Sequence, residues 1–388
     1  MKVKLIATSA FGLEALVANE IKQLGGQDVQ VQNGRVDFTA EAKDIARYNL
    51  WLRCADRLLL KAGEFKARSF DQLFEGTRKL NWPDFLPENA RFPVEGKSVQ
   101  SQLYSVSDCQ AIVKKAIVEK LKTRYSQSWF EESGPLYRIQ VSILKDIVTL
   151  SIDTSGAGLH KRGYRQLSSP APLKETLAAA MVILSRWKAD RPFIDPFCGS
   201  GTIPIEAALI GKNIAPGINR RFVAEEWNQL PSLIWSRARE EAHDLIIKKQ
   251  QLGIIGYDID NSVLQMARFH TSKAGLGKEL HWQRQDVRQV RSRYSYGYVV
   301  SNPPYGERLG KQEEIEKLYR DTGRALQEAL PTWSYYFLSP QPGFEKLFGR
   351  RADKNRKLYN GRIECRYYQF FGPKPDKLQG PFTLHQPV

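Results

Sequence analysis

Cysteine is scarce in this chain. Four residues, Cys54, Cys109, Cys198 and Cys365, are scattered over 388 positions without a CxxC pair. That argues against a zinc knuckle or a disulfide framework and fits a reducing cytoplasm, with no metal expected. No run of about 18 apolar residues is present, so no membrane partner is expected. Internal repeats and low-complexity segments are also missing. With 42% hydrophobic and 26% charged residues, the chain reads as globular, neither disordered nor collagen-like. The opening stretch faintly resembles a secretory signal, but Glu14 and Glu20 interrupt it and its apolar residues fall at helical spacing. It is expected to stay in the mature protein.

Acidic residues are the minority charge: 42 Asp and Glu stand against 58 Lys and Arg, a formal net charge of +16 and a sequence pI near 9.6. Both halves of the chain share the excess. A basic tail would concentrate it in one block, so the pattern points to phosphate contacts from more than one domain, and nucleic acid is the expected partner.

The first half reads as α+β. Phe11–Leu24 is an amphipathic helix candidate, Val29–Phe38 a hairpin turning at Asn33-Gly34, and Ala40–Asn49 a further helix. Ser107–Tyr125 is helical by spacing. Tyr137–Ile147 and Ile147–Ile152 read as strands turning around Lys145-Asp146, giving a small mixed sheet with helices on one face. A basic stretch from His160 to Arg165 then leads to Ser168-Ser169-Pro170-Ala171-Pro172, where the boundary is placed. Beyond it strands and helices alternate: strand ends at Phe193–Ile194, Gly253–Tyr257 and Tyr298–Ser301 interleave with helices at Ile203–Leu209, Ser262–Ala274 and Glu313–Leu330. Strands at Trp333–Leu338 and Ile363–Phe371 follow. Such alternation predicts a mostly parallel, doubly wound sheet. The segment Asn213–Gln251 reads equally as a substrate-side insertion or as helical padding.

Chemistry concentrates at three strand ends. Asp195-Pro196-Phe197-Cys198-Gly199-Ser200-Gly201-Thr202 lies where a strand should give way to a helix, and its glycines let a ligand touch backbone. No Lys follows the second glycine, which excludes a Walker loop, and the third glycine of the dinucleotide fingerprint is missing. An acidic residue there suits a ligand carrying positive charge, such as the ammonium and sulfonium of S-adenosylmethionine. Asp258, followed by Ile259, closes the next apolar strand and can accept from both ribose hydroxyls. Asp260 reads as an N-cap or as a ligand contact. Asp286, beside Val287, could receive an adenine amino group or be a solvated loop residue.

The third signal is Ser301-Asn302-Pro303-Pro304-Tyr305, directly after an apolar strand. The exocyclic amine of a nucleobase is a poor nucleophile because its lone pair is delocalised into the ring. The side-chain oxygen of Asn302 and the carbonyl of Pro303 could accept its two N–H bonds and localise the lone pair toward a methyl donor. The prolines fix the backbone, and Tyr305 offers a flat face for an extruded base. Lys161, Arg162, Tyr164 and Arg165 form a basic and aromatic linker suited to phosphate contacts and stacking. The clusters Arg284/Arg288/Arg291/Arg293 and Lys346/Arg350/Arg351/Lys354/Arg356/Lys357 would extend that track or be plain surface.

The ordered set DPFCGSGT, GYDID and SNPPYGERL resembles the class I S-adenosylmethionine-dependent methyltransferases that modify amino groups. More closely, LHKRGYR, APLKETLAAA, DPFCGSGTIPIEAALI and NPPYGERL resemble the bacterial large-subunit ribosomal RNA guanine methyltransferases with a THUMP domain. The resemblance covers nearly the whole chain. It implies a ferredoxin-like subdomain at residues 1–65, a THUMP RNA-binding domain at 66–160, a linker at 161–172, and a Rossmann-like methyltransferase domain with a seven-stranded, mostly parallel sheet at 173–388. It further implies that Asp195, Phe197, Gly199, Ser200 and Gly201 wrap the methionine end of S-adenosylmethionine, that Cys198 only lines the loop, and that Thr202 opens the helix. Lys174, Glu175 and Thr176 match the segment that helps close the cofactor pocket, and Arg308 falls in the segment after the tyrosine as a further RNA contact. Some members carry a second fused methyltransferase. This sequence ends at Val388 without one, so one activity is expected: methyl transfer to a guanine 2-amino group, in 23S ribosomal RNA or a pre-ribosomal particle, releasing S-adenosyl-L-homocysteine. The alternatives are a DNA adenine 6-amino methyltransferase and a non-catalytic RNA-binding assembly factor.

Overall fold

The computed structural model describes residues 1–127, 129–167, 173–249, 251–305 and 312–374. They form two compact units. The first comprises Met1–Ser9, Val17–Leu159 and Arg221–Glu240; the second comprises Ala10–Leu16, His160–Arg220 and Glu241–Val388.

In chain order the first half holds β1 (Lys2–Thr8), α1 (Glu14–Gln23), β2 (Gln27–Gln32), β3 (Arg35–Glu41), α2 (Ile45–Trp51), β4 (Arg57–Lys66), α3 (Phe70–Arg78), β5 (Val94–Val99), α4 (Val106–Tyr125), β6 (Ile139–Leu144) and β7 (Ile147–Asp153). Its strands make one seven-stranded sheet in the order β2-β3-β1-β4-β7-β6-β5, in which only β5 and β6 pair in parallel. Two hairpins form where the sequence predicts them. Gly34 takes φ +75° in one, and Lys145 and Asp146 both take positive φ in the other, the backbone that a two-residue turn needs to match strand twist. Two expectations change. The opening residues Lys2–Thr8 form a strand, not the start of a helix. With β3 on one side and β4 on the other, the strand buries Leu5, Ile6 and Ala7 consecutively. Ala40 and Glu41 complete β3, so the helix expected from Ala40 begins only at Ile45.

The second half holds α5 (Glu175–Ser185), β8 (Phe193–Asp195), α6 (Thr202–Gly211), α7 (Ser232–Asp244), β9 (Ile254–Asp258), α8 (Asn261–Lys273), β10 (Leu280–Arg284), β11 (Tyr298–Ser301), α9 (Gln312–Ala329), β12 (Ser334–Ser339), α10 (Phe344–Phe348), β13 (Lys354–Asn360) and β14 (Ile363–Phe370). The sheet order is β10-β9-β8-β11-β12-β14-β13, parallel from β10 to β12, with β14 antiparallel to β12. This is the α/β methyltransferase sheet. Val299, Phe337, Trp333, Phe344 and Phe348 are buried at its core. Part of the basic cluster near residue 354 turns out to be edge strand β13, whose Lys357 pairs with Glu364 at 2.6 Å. No helix among the described residues is long and apolar enough to cross a membrane.

The 213–251 segment is more than padding. Its residues 221–240 belong to the first unit. There Trp227 stacks on Tyr137 at 4.6 Å and donates its indole N–H to the Leu136 carbonyl at 2.9 Å, while Tyr137 donates to Gln229 at 2.8 Å.

Candidate functional site

Strand order locates the site. Crossovers leave β8 toward β9 on one side and β11 lies on the other, so the carboxyl ends of β8 and β11 flank the point where the winding reverses, the usual ligand crevice of an open α/β sheet. The glycine loop follows β8 and the Asn-Pro-Pro-Tyr turn follows β11. The two motifs therefore share one end of the sheet. A hydrogen bond from the Ser301 hydroxyl to Asp195 Oδ1 at 2.5 Å ties the strand ends together.

The loop is built on two left-handed glycines, Gly199 at φ +51° and Gly201 at φ +86°. A β-carbon on Gly199 would meet nothing within 4 Å, so open space lies beside that backbone. One on Gly201 would lie 2.6 Å from Cη2 of Trp282, and one on Gly256 would lie 2.4 Å from Cζ3 of the same ring. Trp282, from β10, thus packs across both glycines and sets the loop's height. Sequence reading missed it, because a lone Trp in a polar strand carries no local sign of two glycines facing it.

The carboxylates differ in what they have left to offer. Asp195 is 1% exposed; burial pushes its carboxyl up to about 7, opposed by the Ser301 hydroxyl and the Phe197 N–H. Asp258 takes the Gly199 N–H on one oxygen and the Asp260 N–H on the other, both at 3.0 Å, which leaves further lone pairs on each. Burial raises its pKa as well. Ile259 beside it is 63% exposed. Asp260 caps α8, accepting from the Ser262 N–H at 2.7 Å. Asp286 is taken up by Arg288, which donates its main-chain N–H and two guanidinium nitrogens to it. Val287 is buried in the core. The Cys198 thiol is buried, and desolvation holds its pKa far above the range of a nucleophilic cysteine.

At the end of β11, Asn302 presents the telling atom: its Oδ1 is buried and has no hydrogen-bond partner among the described residues. Native structures rarely leave such an acceptor unpaired away from a ligand site. Pro303 is buried, and the turn is pinned from two elements that the sequence did not flag. Tyr319 of α9 donates to the Pro304 carbonyl at 3.0 Å, and Asn360 of β13 donates to the Tyr305 hydroxyl at 2.6 Å.

The basic stretch expected as an RNA-contacting linker folds into the second unit instead. Arg162 and Tyr164 are each 3% exposed and converge on the buried Glu206, at 3.4 and 3.1 Å. Arg165 reaches the Leu173 carbonyl at 2.6 Å, Thr202 at 3.2 Å and Glu175 at 3.3 Å. The Leu167 N–H donates to His270 Nε2 at 3.3 Å while His270 Nδ1 lies 3.1 Å from the Ser200 carbonyl. A neutral, Nδ1-protonated imidazole satisfies both, and burial holds its pKa low. A carboxylate inside an apolar helix, Glu206 in α6, is what draws the two cationic and phenolic groups inward. Only Lys161 keeps an exposed side chain. Lys174 is the exposed N-cap of α5, Thr176 is buried in its first turn, and Arg308 lies outside the described residues.

Residues 162–369 match the family described as RMKL-like, methyltransferase domain; residues 4–59 match the RlmL ferredoxin-like domain and 67–153 the THUMP domain. YpsC of Bacillus subtilis (strain 168), a protein provisionally named an RNA methyltransferase, is 50% identical over 372 residues, 95% of this chain and 96% of that protein. A Listeria monocytogenes str. 4b F2365 structure, described by prediction as an N6-adenine-specific DNA methylase, is 52% identical with a TM-score of 0.92, covering 96% of this chain and 97% of the other. SMU.472, provisionally described as a methyltransferase and crystallised with S-adenosylhomocysteine, is 43% identical with a TM-score of 0.92, covering 97% and 99%. The open space at Gly199, the spare lone pairs of Asp258 and the exposed Ile259 fit that cofactor. The chain belongs to the RMKL-like methyltransferase family and uses S-adenosylmethionine as its methyl donor.

Proposed function

We propose that the protein methylates RNA on the exocyclic 2-amino group of a guanine, in 23S ribosomal RNA or a pre-ribosomal particle in the cytoplasm. The observation that carries this reading is the buried, unpartnered Oδ1 of Asn302 at the mouth shared with the glycine loop. An aromatic amine has two N–H bonds and a delocalised lone pair. Asn302 Oδ1 accepts one N–H, the Pro303 carbonyl the other, and the nitrogen becomes more pyramidal, with its lone pair free to attack. When bound, S-adenosylmethionine supplies the electrophilic methyl. Asp258 would hold its ribose, Gly199 would let it approach backbone, and Asp195 would carry negative charge at the strand end. The new N–C bond leaves a proton on nitrogen, which departs to solvent once charge has developed, so no strong base is needed beforehand. A paired guanine hides its amine, so the base reaches Asn302 unpaired or flipped.

RNA is favoured by the THUMP match and by the name of the Bacillus relative. The description of the Listeria structure favours the second reading, a DNA adenine 6-amino group, since the same two acceptors suit that amine. Labelled-methyl assays on unmodified ribosomal RNA and on protein-free DNA separate them, with modified guanosines mapped in strains with and without the protein. Asn302→Ala is expected to bind S-adenosylhomocysteine normally and to lose about a hundredfold or more in turnover. Unchanged turnover would remove the role given to Asn302.

A further inference from the structure

The parallel sheet of the second unit has a second recess, at the end opposite the reacting groups. A cavity of about 510 Å³ is lined by residues that precede or open β8, β9 and β10, among them Pro192, Gly253 and Leu280, together with Ser292 before β11 and Trp333 before β12. Ligand crevices of such sheets lie at the carboxyl ends. This cavity is therefore separate from the cofactor site, with the length of the strands between them.

Its lining has two halves. Ile194, Ile254 and Trp333 are buried and give an apolar floor, and Tyr294 adds an aromatic wall. The cations Lys278, Arg291 and Arg293 are exposed around it. None of the three forms an ion pair among the described residues. Arg291 donates only to the main-chain carbonyls of Arg288 and Val290, and Arg293 donates to the Tyr294 hydroxyl at 2.9 Å while its guanidinium sits 5.1 Å from that ring. The single carboxylate in the lining, Glu279, is neutralised by Lys212 at 2.6 Å. A recess walled by low-dielectric side chains and rimmed by one sign of charge concentrates potential within it. The basic cluster recognised in the sequence is thus divided: Arg288 is consumed by Asp286 and Asp321, whereas Arg291 and Arg293 keep their charge for a ligand.

A size of a few hundred cubic ångströms, an apolar and aromatic floor, and unpaired cations match one phosphorylated nucleoside unit. We propose that this cavity is a second RNA-contacting site, which holds one nucleotide of the substrate strand with its phosphate against Arg291, Arg293 and Lys278. The proposal rests on RNA being the substrate. Edge strand β10 runs from this cavity toward the cofactor end, with Leu280 in the lining at one end and Arg284 beside the Asp258 loop at the other, a span of roughly 17 Å for its residues. A short single-stranded stretch passing along that edge reaches both sites.

The test uses the full chain and a single-stranded oligoribonucleotide from ribosomal RNA, followed by anisotropy over a salt series. Arg291→Gln/Arg293→Gln is expected to bind about tenfold more weakly and to flatten the log–log salt slope by about 1.4, at about 0.7 per lost phosphate contact. S-adenosylhomocysteine affinity and melting temperature should stay unchanged. A control of equal charge change, Arg320→Gln/Arg324→Gln on α9, is expected to move the slope little. Equal losses in both double variants, or none in either, would overturn the site. Guanosine 5′-monophosphate serves as the second probe: displacement by the oligoribonucleotide supports a strand-binding site, and binding that RNA does not displace overturns it in favour of a free-nucleotide pocket. Wild-type protein that methylates RNA while the cavity variants bind normally refutes the cavity alone. Wild-type protein that neither binds nor methylates RNA refutes the functional reading as well.

Discussion

Ser301 donates its hydroxyl to Asp195 Oδ1 at 2.5 Å, across 106 positions of sequence, and so locks the last residue of β11 to the last residue of β8. The acceptor turn begins one residue after Ser301 and the glycine loop begins directly after Asp195. One hydrogen bond therefore fixes the spacing between the part that would hold the amine and the part that would hold the methyl donor. A misplacement of about 1 Å at such a junction can cost a hundredfold in rate.

The two glycines of the loop are expected to separate folding from binding. Gly201→Ala forces a side chain into a left-handed backbone and against Trp282 and Ala267, so it should lose about 2–5 kcal/mol of stability. Gly199→Ala meets no protein atom and should cost only about 1 kcal/mol, but its methyl enters the space beside the loop and should weaken S-adenosylhomocysteine binding at least about tenfold. Denaturant melts and calorimetric titration check the pair. Wild-type affinity in the Gly199 variant would show that the cofactor does not approach this backbone.

Asp195 should make stability and cofactor binding respond to pH in opposite senses. Its folded carboxyl holds a proton up to about 7, against an ordinary value of 3.8, so the native state binds that proton more tightly than the unfolded chain does. The resulting stabilisation is present below the ordinary value and is lost as pH rises through the folded one. Asp195→Asn, which cannot ionise, should therefore gain stability relative to wild type between about pH 4 and about pH 7. Over the same range wild-type affinity for the cationic cofactor should climb, and the variant's should stay flat. Parallel pH profiles for the two proteins would refute the assignment.

Arg162 distinguishes a brace from an RNA contact. Its guanidinium faces Glu206, which is 0% exposed, and removing one partner of a buried pair typically costs about 3–5 kcal/mol. Arg162→Ala is expected to destabilise by that amount, while Lys161→Ala, altering an exposed neighbour, should leave the melting temperature in place. A stable Arg162→Ala protein with weakened RNA binding would restore the linker reading.

Much of the fold is legible locally. The hairpins at Asn33-Gly34 and Lys145-Asp146, the helices from Glu14 and Val106, and the strand–loop–helix order of the second half follow from turn residues and apolar periodicity acting over a few positions. Errors arose where burial on both sides removes the alternation, as in β1, and where charge hides a strand, as in β13. The same blindness affects the site. Arg162 and Lys161 are adjacent and chemically alike, yet one is buried and the other exposed, because Glu206 lies 44 positions away on an apolar helix.

The sequence by itself determined the order of the three motifs and the acidic character of two strand ends, since glycine, proline and apolar runs impose their geometry on near neighbours. Tertiary structure alone decided that Trp282 spans Gly201 and Gly256, that Asn302 keeps a buried acceptor unpaired, and that residues 160–167 brace the loop from within the second unit. The reason is physical: exposure, hydrogen-bond satisfaction and charge pairing are properties of which distant groups meet. Only the paired sheet and the helices packed on it bring those groups together.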